Sequence, residues 1–266
     1  MTWMRIRALL AKEFLDLSRN RLALVPVGLI TILSLLLPFG IAVAIPFFTG
    51  QDLGSDADLA KVSAVAVGQA VLTPSARVQL FLFQQFLMLF LMTPITGAMA
   101  LAAHAVVGEK QARTLEPLLA TPVTTGELLV AKMLGALLPT LAISLAGLGL
   151  YLAGIVTMAA PGVAASMLSM RTAMLVAWVG PAAALVSLQS AIIISSRVND
   201  ARTAQQFGVL IIIPLAAVLV AQFTGAFWLS ATTLGWLGLG LVGVWVLLTL
   251  LSVAIFDRET ILTRWR

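Results

Sequence analysis

Six long apolar runs separated by short polar stretches set the pattern of this chain: Leu22 to Phe48, Leu80 to Val107, Leu128 to Met158, Thr172 to Ile194, Phe207 to Thr224 and Leu234 to Phe256. About 20 apolar residues in a helix cross roughly 30 Å of hydrocarbon, so each run predicts a membrane span. Pro26, Pro38, Pro94, Pro139, Pro181 and Pro214 lie inside these runs. They predict kinks rather than ends, because neighbouring spans can satisfy the backbone groups that a proline frees. Ahead of the first run, Trp3, Ile6, Leu10, Phe14 and Leu17 recur at three- and four-residue steps, with Arg5, Lys12, Asp16 and Arg19 off that stripe. The spacing predicts an amphipathic helix over residues 1–21 lying in the membrane interface, with Lys12 and Asp16 paired one turn apart. The same stripe would also suit a soluble helix packed on a partner. The expected fold is an all-α integral membrane protein: the interfacial helix, a six-helix transmembrane domain over 22–256, and a tail over 257–266.

Composition agrees with that pattern. Hydrophobic residues make up 61% and charged residues 10%, and the mean hydropathy is +1.06. A soluble domain is about 25% charged, so lipid must be this chain's solvent. The formal charge of +5 does not point to nucleic acid, because the basic residues sit at the ends of apolar runs instead of on one surface. With both termini in the cytoplasm, thirteen of the sixteen basic residues fall inside, and only Lys61, Arg77 and Arg171 fall outside. That asymmetry sets the expected orientation and an inner or plasma membrane location. The first run is too long for the apolar part of a signal peptide and is expected to be a retained anchor. Without cysteine, disulfides and thiolate metal sites are excluded.

The outer connections are expected to be small. Residues Thr49 to Gln79 carry Asp52, Asp56 and Asp58, but they lack the ligand order of a twelve-residue calcium loop. The expectation is a solvated polar loop. Ala159–Ser169 and Ala226–Thr233 read as short connections.

Catalytic chemistry is not in evidence. A phosphate-binding loop needs Gly directly before its Lys, whereas Lys12, Lys61, Lys110 and Lys132 follow Ala, Ala, Glu and Ala. His104 is the single histidine, and a zinc site needs three or four ligands. The spans show no carboxylate relay for proton-coupled transport. They do carry neutral polar residues: Gln84, Gln85, Thr93, Ser187, Gln189, Ser190 and Gln222. Helix-packing contacts account for such residues by default. The sharper reading is a substrate path lined by Gln85, Thr93 and Gln222, whose weak polarity favours an amphipathic or hydrophobic cargo.

The most informative segment is the charged, turn-rich stretch from Gly108 to Lys132. Thr114 can cap a short helix, with Glu116 at its positive end and Pro117 in its first turn. Leu115, Leu118 and Leu119 then form a small apolar face. Pro122 stops the turn, Thr125 can cap the next helix, and Glu127 falls in that helix's first turn. An uncovered leucine face on a short helix suits a groove in another protein, or else the membrane surface.

These residues resemble the first cytoplasmic loop of ABC-2 type transporter permeases. The match rests on Glu109, Thr114-Leu115-Glu116, Leu118-Leu119, Thr121-Pro122, Glu127-Leu128-Leu129 and Lys132; Arg113 stands where the family often has Gly. The resemblance extends to the architecture, since such permeases carry an elbow helix before six spans. It implies a permease subunit without its own ATPase, and an exporter rather than an importer. It implies no directly bound cofactor, ATP and Mg being held by two ABC ATPase subunits, and a second permease copy or homologue. The coupling loop would be 108–127, with Glu109, Arg113, Thr114, Leu115, Glu116, Leu118, Leu119 and Pro122 at the ATPase interface. The rival readings are a membrane scaffold that recruits an ATPase without moving a substrate, and an integral membrane enzyme acting on lipid.

Overall fold

The computed structural model describes residues 2–19, 21–67, 72–111, 124–198, 203, 206, 213–214, 216–218, 220–224, 226 and 228–255, and they form helices joined by short turns. Helix α1 is Thr2–Arg19, and α2 is Arg21–Phe39, prolonged by a π-helical turn at Gly40–Ala44 and a last turn at Ile45–Thr49. Helix α3 is Ala57–Val67, α4 is Pro74–Phe90, α5 is Met92–Gln111 and α6 is Thr125–Met158. The short α7 is Val163–Met167. Helix α8 runs from Met170–Met174 through a π-helical turn at Leu175–Val179 into Gly180–Arg197, and α9 is Ala231–Ile255.

Five stretches are long and apolar enough to cross a membrane: Val27–Thr49, Pro74–Glu109, Gly126–Met158, Met170–Ser196 and Ala231–Val253. The expected sixth span, 207–224, lies largely outside the described residues, and of those described in it, 213, 214, 216–218 and 220–223 are helical. The layering follows burial. The Pro74–Glu109 stretch is the centre, 83% buried at its most apolar part, whereas Ala231–Val253 is 11% buried. Leu29, Ile32 and Leu36 on α2, Leu145 and Leu150 on α6, and Trp236, Leu247 and Leu250 on α9 face outward uncovered. That is the surface expected of a bundle solvated by lipid.

Pro94 and Pro181 coincide with irregular turns, as expected of a residue without an N–H, whereas Pro26 lies in an uninterrupted stretch of α2. Phe90 and Met92 belong to separate helices broken at Leu91, three residues before Pro94. There the Leu91 N–H is shared between the carbonyls of Leu87 and Met88, each at 3.2 Å. Each π-helical turn is closed by an N–H reaching five residues back, Ile45 to Gly40 and Gly180 to Leu175. In both, a proline follows at once, Pro46 and Pro181. Widening the turn accommodates the ring and the carbonyl it displaces. Pro139 sits within α6 without interrupting it.

Two findings differ from the sequence reading. The segment 49–79 is not simply a solvated loop. It contains α3, with Ser63 buried and Leu59, Val62 and Ala66 packed on the cluster of Phe81, Phe83 and Tyr151. Its Asp56 accepts from the Asp58 and Leu59 N–H groups, which makes it a helix cap. The cap of α6 is Thr124, not Thr125: Thr124 Oγ1 accepts from the Glu127 N–H at 3.2 Å, and Glu127 Oε2 accepts from the Thr124 N–H at 2.9 Å. The reciprocal pair requires the hydroxyl three residues before the glutamate, which is position 124.

Polar ties cross between helices. Tyr151 Oη donates to the Phe83 carbonyl at 2.7 Å, and Ser187 Oγ donates to the Ile95 carbonyl at 3.0 Å. Gln79 donates to the Ala42 carbonyl at 2.9 Å and accepts from the Ala160 N–H at 2.7 Å. Backbones also approach closely at glycine. A Cβ on Gly97 would lie 2.5 Å from Thr140 Cγ2 and 3.1 Å from Val27 Cγ1, whereas one on Gly149 meets nothing within 4 Å. Gly97→Val is therefore expected to cost about 1–3 kcal/mol by overpacking, read as a lower melting midpoint in detergent. Gly149→Ala is expected to be neutral or to stabilise by up to about 1 kcal/mol. Equal midpoints for the two variants would show that α5 and α6 do not need this close approach.

Candidate functional site

The end of the bundle that flanks residues 112–123 carries an unusual concentration of buried charge. Helix α5 delivers Glu109 in its last turn, α6 delivers Lys132 in its second turn, and α1 delivers Lys12 and Glu13. Lys132 is 2% exposed, Glu109 is 6% exposed and Glu13 is 8% exposed. Their charged atoms close a ring. Lys132 Nζ donates to Glu13 Oε1 at 3.2 Å and to the Ala105 carbonyl at 3.2 Å. It also lies 2.6 Å from Glu109 Oε2. That last contact is an ion pair without hydrogen-bond alignment, since Oε2 has no hydrogen-bond partner. Glu109 Oε1 accepts from Lys12 Nζ, and Lys12 returns to Glu13 Oε1 at 3.7 Å. Charges of opposite sign thus alternate around Lys12, Glu109, Lys132 and Glu13, and Asp16 joins Lys12 at 3.2 Å.

Small residues make the ring possible. A Cβ on Gly135 would sit 2.8 Å from Glu13 Cβ, so the glycine one turn beyond Lys132 lets α1 lie directly on α6. Arg5 Nη1 then approaches Glu127 Oε2 at 3.8 Å, near the start of α6. The Lys12–Asp16 pair expected from their spacing is present. The wider ring was not anticipated, although Lys132 carried a signal: a cation one turn inside an apolar run has to find a carboxylate.

Burial alone would disfavour the Lys12 ammonium. The hydrogen bond to Glu109, the attraction of Glu109 and Glu13 and the bond to Asp16 outweigh it, pushing the pKa from 10.5 up to about 12.

The other expected site residues fall in three places. Arg113, Thr114, Leu115, Glu116, Leu118, Leu119 and Pro122 lie outside the described residues. Glu109 is described and turned inward, both carboxylate oxygens engaged by lysines. Gln85, Thr93 and Gln222 are each 0% exposed. Gln85 and Thr93 have no side-chain hydrogen-bond partner among the described residues, while Gln222 accepts from Arg171 Nη2 at 3.1 Å. Ser187, Gln189 and Ser190 do not act together: Ser187 bonds α5, Gln189 bonds Ser252 on α9, and Ser190 bonds its own helix. Among the described residues no cluster of His, Asp or Glu suits a metal ion.

The family model for ABC-2 family transporter proteins matches residues 7–255. The chain belongs to the ABC-2 transporter family. A search of the curated proteins gives no match. Membership makes the chain a multi-pass membrane permease of ABC-2 type, from a family whose permeases are generally non-enzymatic and typically work with ABC ATPases. In this ABC-2 permease the family match begins inside α1 and ends at the last residue of α9, so it takes in every member of the ring.

Removing one member of the ring leaves its partners charged and buried. Lys132→Met is expected to destabilise the permease by about 3–5 kcal/mol, measured by denaturant unfolding in detergent. Adding Glu109→Gln to it should cost less than the sum of the single changes; strict additivity would show that the two do not interact. The Lys12 shift gives a pH dependence. A group whose pKa rises on folding contributes fully below its unfolded value and loses that contribution as pH climbs through the folded value. Lys12 should therefore stabilise uniformly below 10.5 and lose its effect as pH rises to about 12. In a melting series, Lys12→Met should remove that alkaline loss.

Proposed function

We propose that this ABC-2 permease is the membrane subunit of an ATP-driven exporter, coupled through its 108–127 loop to two separate ATPase subunits that hold ATP and Mg. A second permease copy or homologue completes the pathway. Both termini lie in the cytoplasm in this account, which the excess of Lys and Arg on that side supports, and six spans and an interfacial elbow helix complete the architecture. Within the loop, Arg113, Thr114, Leu115, Glu116, Leu118, Leu119 and Pro122 meet the ATPase. Gln85, Thr93 and Gln222 line the path that the cargo takes once the helices part.

The observation that supports coupling is the ring of Lys12, Glu109, Lys132 and Glu13. It joins the helix that enters the loop, the helix that leaves it and α1 into one unit. A push on residues 112–123 then moves three helices together instead of bending one hairpin. Closure of the ATPase dimer on ATP would tilt that unit and carry the bundle between two discrete packings. Glu109 acts in this account by positioning the loop, since its carboxylate is already engaged by two lysines.

Leu115→Asp and Leu118→Asp test the docking. Each is expected to reduce ATPase co-purification at least about tenfold, the scale of a lost central contact of 1.4 kcal/mol or more, with membrane insertion unchanged. Normal co-purification by both variants overturns docking through this face. Reconstitution tests the function itself: ATP-dependent efflux supports the exporter. Recruitment without transport points to a scaffold, and product formation by the chain alone points to an enzyme.

A further inference from the structure

At the opposite end of the bundle from the charge ring, Arg171 sits among neutral groups. Arg171 lies in the first turn of α8, half-buried. Its Nη1 donates to Gln84 Oε1 at 2.7 Å and its Nη2 to Gln222 Oε1 at 3.1 Å. Its guanidinium carbon lies 3.9 Å over the Trp228 ring, and that ring stacks on Phe81 with centroids 6.1 Å apart. No carboxylate lies within ion-pair distance of Arg171 among the described residues. The acidic side chains in ion pairs, Glu13, Asp16, Glu109 and Glu127, all belong to the other end. An arginine held at the edge of hydrocarbon ordinarily pairs with an acid or reaches open water.

The hydrogen-bond inventory shows what is missing. A guanidinium has five N–H donors and no acceptor, and the two glutamine oxygens each take one of them. The donors left over include Arg171 Nε and Gln222 Nε2, both buried and without a partner. Both glutamine oxygens that face the arginine are already used, so the site offers donors and a full positive charge. Such a site calls for an oxyanion. A position at the start of a span, beside a tryptophan, suits contact with lipid headgroups, and the Phe81 and Trp228 rings supply an apolar wall.

We propose that Arg171, Gln84, Gln222 and Trp228 form a binding site for a phosphate group, with Arg171 as its charge, the glutamines holding the guanidinium in place and the aromatic wall taking an attached apolar chain. The phosphate belongs either to a lipid headgroup or to a free phosphate anion, and both present the same oxygens. The site is independent of ATPase docking and is read on the permease alone, so its failure leaves the coupling account untouched.

The test uses the full chain purified in detergent, with three probes: dihexanoyl phosphatidylglycerol, dihexanoylglycerol and inorganic phosphate. Binding is followed by native mass spectrometry and by the rise in melting midpoint. The phosphate-bearing lipid is expected to bind at least about tenfold more tightly than dihexanoylglycerol, as a charge-assisted bond to arginine warrants. Arg171→Gln should abolish that preference. Arg171→Lys keeps the charge and the fold but loses the planar fork, and should weaken binding about tenfold. Inorganic phosphate binding as tightly as the lipid assigns the site to free anions; much weaker binding assigns it to a headgroup. Equal binding of the two lipids, no binding of either phosphate probe, or a folded Arg171→Lys variant with unchanged affinity each overturn the proposal.

Discussion

Four alternating charges at one end of an apolar bundle are the constraint on which the rest of the molecule depends. Charges buried beside hydrocarbon are tolerated only when each finds its opposite. Here the requirement fixes α1 against α6, places the end of α5 beside both, and sets the geometry from which residues 112–123 emerge. Gly135 has to be small because Glu13 occupies the space its side chain would fill. Lys132 has to be long because it must reach both Glu13 and Glu109. The outward faces of α2, α6 and α9 instead carry exposed apolar side chains such as Leu36, Leu150 and Leu247.

Apolar burial alone does not drive helices together when the surrounding medium is also apolar. Close packing and hydrogen bonds take over that role. The bundle shows both devices: Gly97 against Thr140 and Val27, Tyr151 on the Phe83 carbonyl, Gln79 between Ala42 and Ala160. Several of these ties reach main-chain carbonyls, groups that every sequence supplies. This explains why an inspection of side chains alone does not find them.

The sequence was legible wherever a local rule operated. Apolar run length located five helices long enough to span. The prolines marked the break at Leu91, and the i,i+4 spacing gave the Lys12–Asp16 pair. What escaped it was of longer range. Glu13 was passed over because its partner stands 119 positions away. Arg171 was read as one of three outside charges, while the structure buries much of it between two glutamines from different helices. Helix α3 was hidden in a stretch whose aspartates suggested solvent, although Asp56 caps it and Asp52 caps the turn before it. Thr125 is the cap that the sequence reading names, and the reciprocal hydrogen bonds of Thr124 and Glu127 move it by one residue, a shift that adjacent threonines cannot announce. Leu115, Leu118 and Leu119 lie outside the described residues, so their reading rests on the sequence motif alone.

The separation in sequence of the ring's members bears on how the chain is made. Lys12 and Glu13 leave the ribosome long before Lys132, and the ring cannot close until the helix bearing Lys132 has entered the bilayer. Docking of α1 on Gly135 and Lys132 is therefore a late event in synthesis, because it needs residues from both ends of that interval.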